Sequence, residues 1–203
     1  MKLIKLFTHK GKKNANQSKA LKLIGEFFPD LDKELHIRPS MFITNIYDKI
    51  NKKYKLNSSL KGSLYEHLMM CVFFRKKIKP FFYQANLNFV PNVCFDFVLF
   101  DTNKKPIIIS IKTSGRELYK QVELESFVAK QVHKNARTIF ITHEDDSVRF
   151  IDRKKDLSEI NSIDEVYSSQ DKDFDKLIND LASRDYVDPQ KISYVKTGVL
   201  IDD

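Results

Sequence analysis

The fold of this chain is decided by residues 93–112, which comprise VCFDFVLF (93–100), DTNKKP (101–106) and IIISIK (107–112). The two apolar segments are rich in β-branched and aromatic residues, and the segment between them has the composition of a turn, so the stretch predicts a β-hairpin. A hairpin places Asp96 and Lys112 side by side. Because an unpaired charge on a buried strand is strongly unfavourable, these two polar residues require a partner or a chemical role.

The periodicity of apolar residues predicts helices before the hairpin and a mixture of strands and helices after it. We predict helices at 18–28, 40–54, 60–76, 116–134 and 173–183, and strands at 84–90, 93–100, 106–112, 137–142, 147–152 and 163–168. Residues 189–203 contain one further strand-like piece without an assigned position. The helix at 60–76 is apolar nearly all round and should be buried, with Glu66 and His67 as the polar residues in its middle.

These elements predict an α/β fold in which a mixed β-sheet is flanked by helices, with an N-terminal helical part. We expect a single domain of 203 residues. It divides into the N-terminal helical part (1–59), a core (60–143) and a C-terminal β/α completion (144–203).

The charge of the chain is unevenly distributed. Residues 1–80 carry 18 Lys and Arg against 6 Asp and Glu, whereas residues 144–203 carry 9 against 16. A basic front half suits a polyanionic partner such as nucleic acid, although charge alone is weak evidence for one. Cys71 and Cys94 lack a CxxC arrangement and are expected to be buried free thiols. Without a long apolar run or an export leader, we expect a soluble cytoplasmic protein that does not enter a membrane.

Asp96, followed on the next strand by Ser110-Ile111-Lys112, resembles the motif of the PD-(D/E)xK nucleases, the superfamily that includes most type II restriction endonucleases. In that family an aspartate and an acid-x-Lys bind Mg²⁺, and Ser110 occupies the position of the acid here. The subgroup of restriction enzymes that recognise CCGG or CCNGG also lacks this acid and recovers it from the following helix. Counting thirteen residues from Lys112 leads to Glu125.

The resemblance covers about residues 60–142 and implies a role for each matched position. Asp96 and Glu125 would bind Mg²⁺, and Lys112 would orient or deprotonate the attacking water and offset negative charge. Glu66 matches an acidic position on the preceding helix of the family and would hold a metal-bound water or Lys112.

The same subgroup carries an Arg-Glu-Arg or Arg-Asp-Arg triplet for base recognition, four residues past the lysine. Arg116 and Glu117 match its first two positions and could recognise a C·G pair, whereas Leu118 replaces the second arginine, so the CCGG target is not transferred. Lys120 and Gln121 are further candidates for contacts with DNA.

The resemblance therefore implies a Mg²⁺-dependent type II restriction endonuclease. It would cut double-stranded DNA as a homodimer and be paired with a DNA methyltransferase that protects the host. Alternatives remain open: a DNA-binding protein with a degenerate, non-cleaving site, or a repair or junction nuclease of the same fold. Each of these four residues also has a structural interpretation: Asp96 and Glu125 would face solvent, Lys112 would extend to water, and Glu66 would pair with a lysine.

Overall fold

The computed structural model describes residues 15–33, 35–188 and 195–201. Within these residues, six strands form one sheet in the order β5-β4-β3-β2-β1-β6. The strands are β1 (Phe81–Leu87), β2 (Phe95–Phe100), β3 (Pro106–Lys112), β4 (Arg137–Thr142), β5 (Glu165–Ser168) and β6 (Val195–Ile201). The first three strands pair as the antiparallel meander that the sequence predicts. The strand-like piece in the tail is β6, which pairs antiparallel with β1 at the edge of the sheet.

Strands β4 and β5 run parallel to β3, so the sheet is mixed, as predicted. This topology brings the carboxyl ends of β3, β4 and β5 to the same end of the sheet, measured along the strands. The antiparallel β2 begins at that end. Residues from the beginning of β2 and the end of β3 therefore meet there.

Helices cover both faces of the sheet, which confirms the predicted α/β fold with N-terminal helices. The described helices are α1 (Ala15–Phe27), α2 (Pro39–Lys53), α3 (Ser58–Arg75), α4 (Gly115–Val132), α5 (Asp145–Asp156) and α6 (Lys172–Ala182). α1, α2, α3 and α6 bury their apolar residues in one large cluster, and α4 and α5 pack against the opposite face.

Helix α3 is the central buried helix of the first face. Its start is capped by Asn57, whose side chain accepts a hydrogen bond from the Leu60 N–H, as expected for an N-cap. Phe73 packs against the rings of Phe81 and Phe97 from β1 and β2. Burying an aromatic side chain of this size stabilises the fold by about 1.5–3 kcal/mol. This packing holds α3, and with it Glu66, against the sheet.

Three local predictions were wrong. Residues 147–152, predicted as a strand, lie within α5, because Ser147 and Ile151 are buried one helical turn apart. Its first turn is acidic and its last turn basic, which suits the helix dipole. The first strand of the meander spans 81–87 rather than 84–90. Cys94 is exposed, because it alternates with the buried Val93 and Phe95, whereas Cys71 is buried as expected.

A separate observation concerns membranes. None of the helices in the described part of the chain combines the length and the apolar character that a bilayer span requires.

Candidate active site

Asp96 and Lys112 lie side by side where β2 and β3 separate. The last pair of the ladder at this end joins Phe97 to Ile109. Beyond it, Asp96 Oδ2 accepts hydrogen bonds from the backbone N–H of Ile111, at 2.7 Å, and from Lys112 Nζ, at 3.1 Å. The predicted juxtaposition is confirmed. Asp96 is only 6% exposed, so the interpretation that places it on the solvent face is wrong.

Lys112 carries its positive charge among carboxylates. Burial lowers the pKa of its ammonium, but the adjacent Asp96 and the nearby Glu125 and Glu66 outweigh burial, and the pKa is raised overall. Lys112 is therefore protonated at neutral pH, because its pKa lies above the usual value of about 10.4. Ser110, two residues earlier on β3, is buried and contributes no charge.

Glu66 reaches the same region from α3. Its Oε2 accepts hydrogen bonds from the Tyr83 hydroxyl, at 2.6 Å, and from Gln84 Nε2, at 3.0 Å. Burial, and after it the negative charge of Asp96, raises the pKa of Glu66 to about 7, against the hydrogen bonds and the charge of Lys112. Glu66 is thus a carboxyl group that can gain or lose a proton near neutral pH.

The backbone of β1 explains how two consecutive residues both bind Glu66. Successive side chains of a regular strand point to opposite faces, yet Tyr83 and Gln84 reach one carboxylate. Gln84 adopts a left-handed conformation, with φ 52°, next to an irregularity in the pairing with β6. Tyr83 packs in the core beneath α3, whereas Ala85 packs on the opposite face of the sheet. The alternation of the strand therefore shifts at Gln84, which turns its amide toward Glu66.

Glu125 and Glu123 lie on the same helix, α4, but have different partners. Glu123 accepts hydrogen bonds from the backbone N–H groups of Asn161, Ser162 and Ile163, between 2.9 and 3.1 Å. Its contacts are therefore those of a structural acceptor. Glu125 is the acid whose charge interacts with Lys112 and Asp96.

Glu125 is held within its own helix by a hydrogen bond. Its Oε1 accepts from Gln121 Nε2 at 2.7 Å. Burial raises the pKa of Glu125, and Asp96 adds to this effect, against the Gln121 hydrogen bond and Lys112.

The start of α4 is packed tightly against the end of β4 and the start of α5. A methyl group on Gly115 would lie 2.5 Å from the Ser147 Cβ and 3.2 Å from the Thr142 hydroxyl oxygen. The Glu144 carboxylate accepts from the Gly115 N–H, at 3.3 Å, and from the Ser147 hydroxyl, at 2.6 Å. These contacts determine how closely α4 approaches the sheet, and hence where Glu125 lies.

The other candidates for DNA contacts lie on the exposed side of α4. Arg116, Glu117 and Lys120 are exposed, and the guanidinium of Arg116 lies 5.5 Å from the ring centre of Phe150. Gln121 is also exposed, but its amide is bonded to Glu125. We therefore assign Gln121 to the orientation of Glu125 rather than to base contacts.

The carboxylate oxygens of Asp96 and Glu125 are the kind of ligand that Mg²⁺ prefers. In the described ranges, no group of three or more His, Cys, Asp or Glu side chains is arranged to hold a metal ion by itself. Mg²⁺ needs fewer protein ligands, because it keeps several waters and is commonly bound by one or two carboxylates and a substrate phosphate. Asp96 and Glu125 supply two such carboxylates. Burial is the main cause of the raised pKa values of Glu66 and Glu125, and the charge of Asp96 adds to it; a bound cation would favour the ionised form of both carboxyl groups.

Sequence reasoning missed the roles of Tyr83 and Gln84. Gln84 was predicted as the first residue of the strand at 84–90, and Tyr83 was not assigned to an element. Their contacts with Glu66 span 17 and 18 residues and depend on the packing of α3 over the sheet. A polar residue within an apolar strand, such as Gln84, was the one available signal.

A scan against protein-family models, a search of curated proteins and a search of solved structures each gave no match to this chain. Its candidate active site is accordingly defined by its own geometry.

Proposed function

We propose that this protein is a Mg²⁺-dependent, sequence-specific endonuclease of double-stranded DNA, of the type II restriction class. The observation that carries the proposal is the 3.1 Å contact between Asp96 Oδ2 and Lys112 Nζ at the splayed end of two buried strands. The charges of Glu66 and Glu125 act on the same lysine. Oxygen ligands for a metal ion, together with a cationic group, can provide the charge stabilisation and the activated water that hydrolysis of a phosphodiester needs.

Each residue has a distinct task in the proposed reaction. Asp96 and Glu125 would hold Mg²⁺, which supplies charge compensation at the scissile phosphate and activates water. Lys112 offsets negative charge on the phosphate and orients the attacking water, since its ammonium remains protonated at neutral pH. Glu66, which Tyr83 and Gln84 hold in place, would hold a metal-bound water or Lys112.

The exposed start of α4 is the part of the chain proposed to contact bases. Arg116 can donate two hydrogen bonds to guanine, and Glu117 can accept from the amino group of cytosine. Lys120 adds a positive charge for a phosphate. Two copies of α4 related by a twofold axis would recognise a palindromic site, so we propose a homodimer. Restriction further implies a cytoplasmic enzyme and a DNA methyltransferase as its functional partner.

A digestion of unmethylated phage DNA tests the proposal. We expect the protein with Mg²⁺ to produce discrete bands, and the protein with EDTA to leave the DNA intact. Sequencing the fragment ends would then give the recognition sequence and the positions of the cuts.

The other outcomes would replace the proposal. Retarded but intact DNA in the presence of Mg²⁺ would indicate the DNA-binding protein with a degenerate site. A structureless smear would indicate a nuclease without sequence specificity. Cleavage confined to branched DNA would indicate a junction nuclease.

A further inference from the structure

Phe89 lies in the connection between β1 and β2 and is unusually exposed. Its side chain is 86% accessible, the highest value among the large hydrophobic residues of the described ranges. Its backbone is left-handed, with φ 65°, a conformation that is a genuine outlier for a bulky residue. Strained backbone conformations of this kind are concentrated at functional sites.

The connection that carries Phe89 is anchored on both sides. Val90 and Val93 are buried in the same apolar cluster as Phe95. The Asn86 side chain donates a hydrogen bond to the Val93 carbonyl at 2.6 Å, and the Val90 N–H donates to the Leu87 carbonyl at 3.3 Å. The ring is therefore presented by a loop with fixed ends.

The loop extends from the same end of the strands as the candidate active site. In the register of β1 and β2, Gln84 lies opposite Asp96. Phe89 is five residues further along, so at about 3.3 Å per residue the loop tip lies at most ~16 Å beyond Asp96. Because duplex DNA advances 3.4 Å per step, this limit corresponds to at most roughly five base steps.

The chemistry of the loop suits a nucleobase. Residues 88–93 contain no charged side chain, so the loop offers no ion pair to a phosphate. Phe89 is flanked by exposed Pro91 and Asn92 and does not belong to a continuous apolar patch of the kind that marks a protein interface. A lone aromatic ring can insert between two base pairs of a duplex and stack on the exposed base face, and an adjacent amide can bond to a base edge.

We propose that Phe89 inserts between base pairs of the DNA substrate and stacks on a base, at most about five steps from the phosphate that is cut. This inference rests on the proposed function, because it assigns the loop and the active site to the same duplex.

A single tryptophan makes the contact measurable. The chain contains no tryptophan, so the emission of a Phe89→Trp variant reports on this position alone. Short fragments of sheared, unmethylated phage DNA are titrated into the variant, with Ca²⁺ replacing Mg²⁺ to prevent cleavage. We expect the emission to be quenched in parallel with DNA binding measured by anisotropy.

Leu157→Trp is the matched control. Leu157 is 70% exposed and follows α5, near the end of the strands that is opposite to Asp96. Its emission should not change when DNA binds. Equal quenching at both positions would overturn the proposal, because it would reflect unspecific contact, and so would the absence of quenching at position 89.

Phe89→Ala provides the second measurement. Loss of the inserted ring should raise the Kd for DNA by roughly 5-fold, the low end of the range for one stacked base, because the cost of unstacking the step offsets part of the gain. The exposed position should leave folding unchanged. An unchanged Kd, or a change only in self-association on sedimentation, would overturn the inference. The Mg²⁺-dependent digestion by the wild-type protein reports separately on nuclease activity, so a failure of the stacking contact can be distinguished from a failure of the proposed function.

Discussion

Asp96 Oδ2 lies 3.1 Å from Lys112 Nζ and 2.7 Å from the backbone nitrogen of Ile111. The carboxylate thus takes the place of a partner strand for one N–H group and neutralises the adjacent ammonium. Removing one partner of a buried ion pair is strongly destabilising, whereas replacing both partners by apolar residues is often neutral. Stability alone therefore does not account for an ion pair at this end of the sheet, whereas a catalytic role would.

Replacing Lys112 should abolish cleavage without abolishing DNA binding. We expect Lys112→Ala to reduce the cleavage rate by at least about 100-fold, the usual effect of removing a positioned acid–base group. Lys105→Ala is the control, because Lys105 is an exposed lysine of the same hairpin. Cleavage and binding are measured on the same duplex, and equal cleavage by both variants would contradict the role of Lys112.

Glu125 and Glu123 should fail in different ways. Glu125→Ala should lose cleavage, and its unfolding should resemble that of the wild type, because the removed side chain is a proposed metal ligand. Glu123→Ala should lower the free energy of unfolding by about 1–3 kcal/mol, because three backbone N–H groups lose their acceptor. Urea unfolding and a cleavage assay distinguish the two. If Glu123→Ala alone loses cleavage and keeps its stability, the acid has been assigned to the wrong residue.

Gly115 should be required for the position of α4. Gly115→Ala places a methyl group 2.5 Å from the Ser147 Cβ, so α4 must move and carry Glu125 with it. We expect a loss of about 1–3 kcal/mol in stability and a lower cleavage rate. Ser147→Gly removes the opposing atoms, so the double variant should regain much of the lost activity relative to Gly115→Ala. A double variant that is no better than Gly115→Ala would show that the close approach does not position Glu125.

Glu66 should make the stability of the metal-free protein depend on pH. Its pKa in the folded protein is about 7, above the ordinary value of 4.5, so the protonated form favours folding. This contribution is complete below pH 4.5 and is lost as the pH rises through 7. Glu66→Gln cannot ionise, so above pH 7 it should be more stable than the wild type, and below pH 4.5 the difference should disappear.

Unfolding in EDTA over this pH range measures the effect. Cleavage with Mg²⁺ should fall in the same variant, since Glu66 is assigned to the active site. A difference in stability that does not vary with pH would contradict the raised pKa.

Some features of this chain follow from local sequence alone. The apolar segments at 93–100 and 107–112, with a turn between them, were sufficient to place Asp96 beside Lys112, because the register of a hairpin is determined by neighbouring residues. The apolar circumference of α3 was likewise sufficient to predict its burial. The mixed sheet flanked by helices follows from the order of such segments.

Other features were decided by tertiary structure. The sequence predicted a strand in what is the amphipathic helix α5, because a short apolar run does not reveal its period. It could not indicate that β6 would pair with β1, since that partner is more than 100 residues away. Nor could it show that Tyr83 and Gln84 would both contact Glu66. Local patterns specify which residues are buried and with what period, whereas the direction of each charged side chain depends on how separate elements pack together.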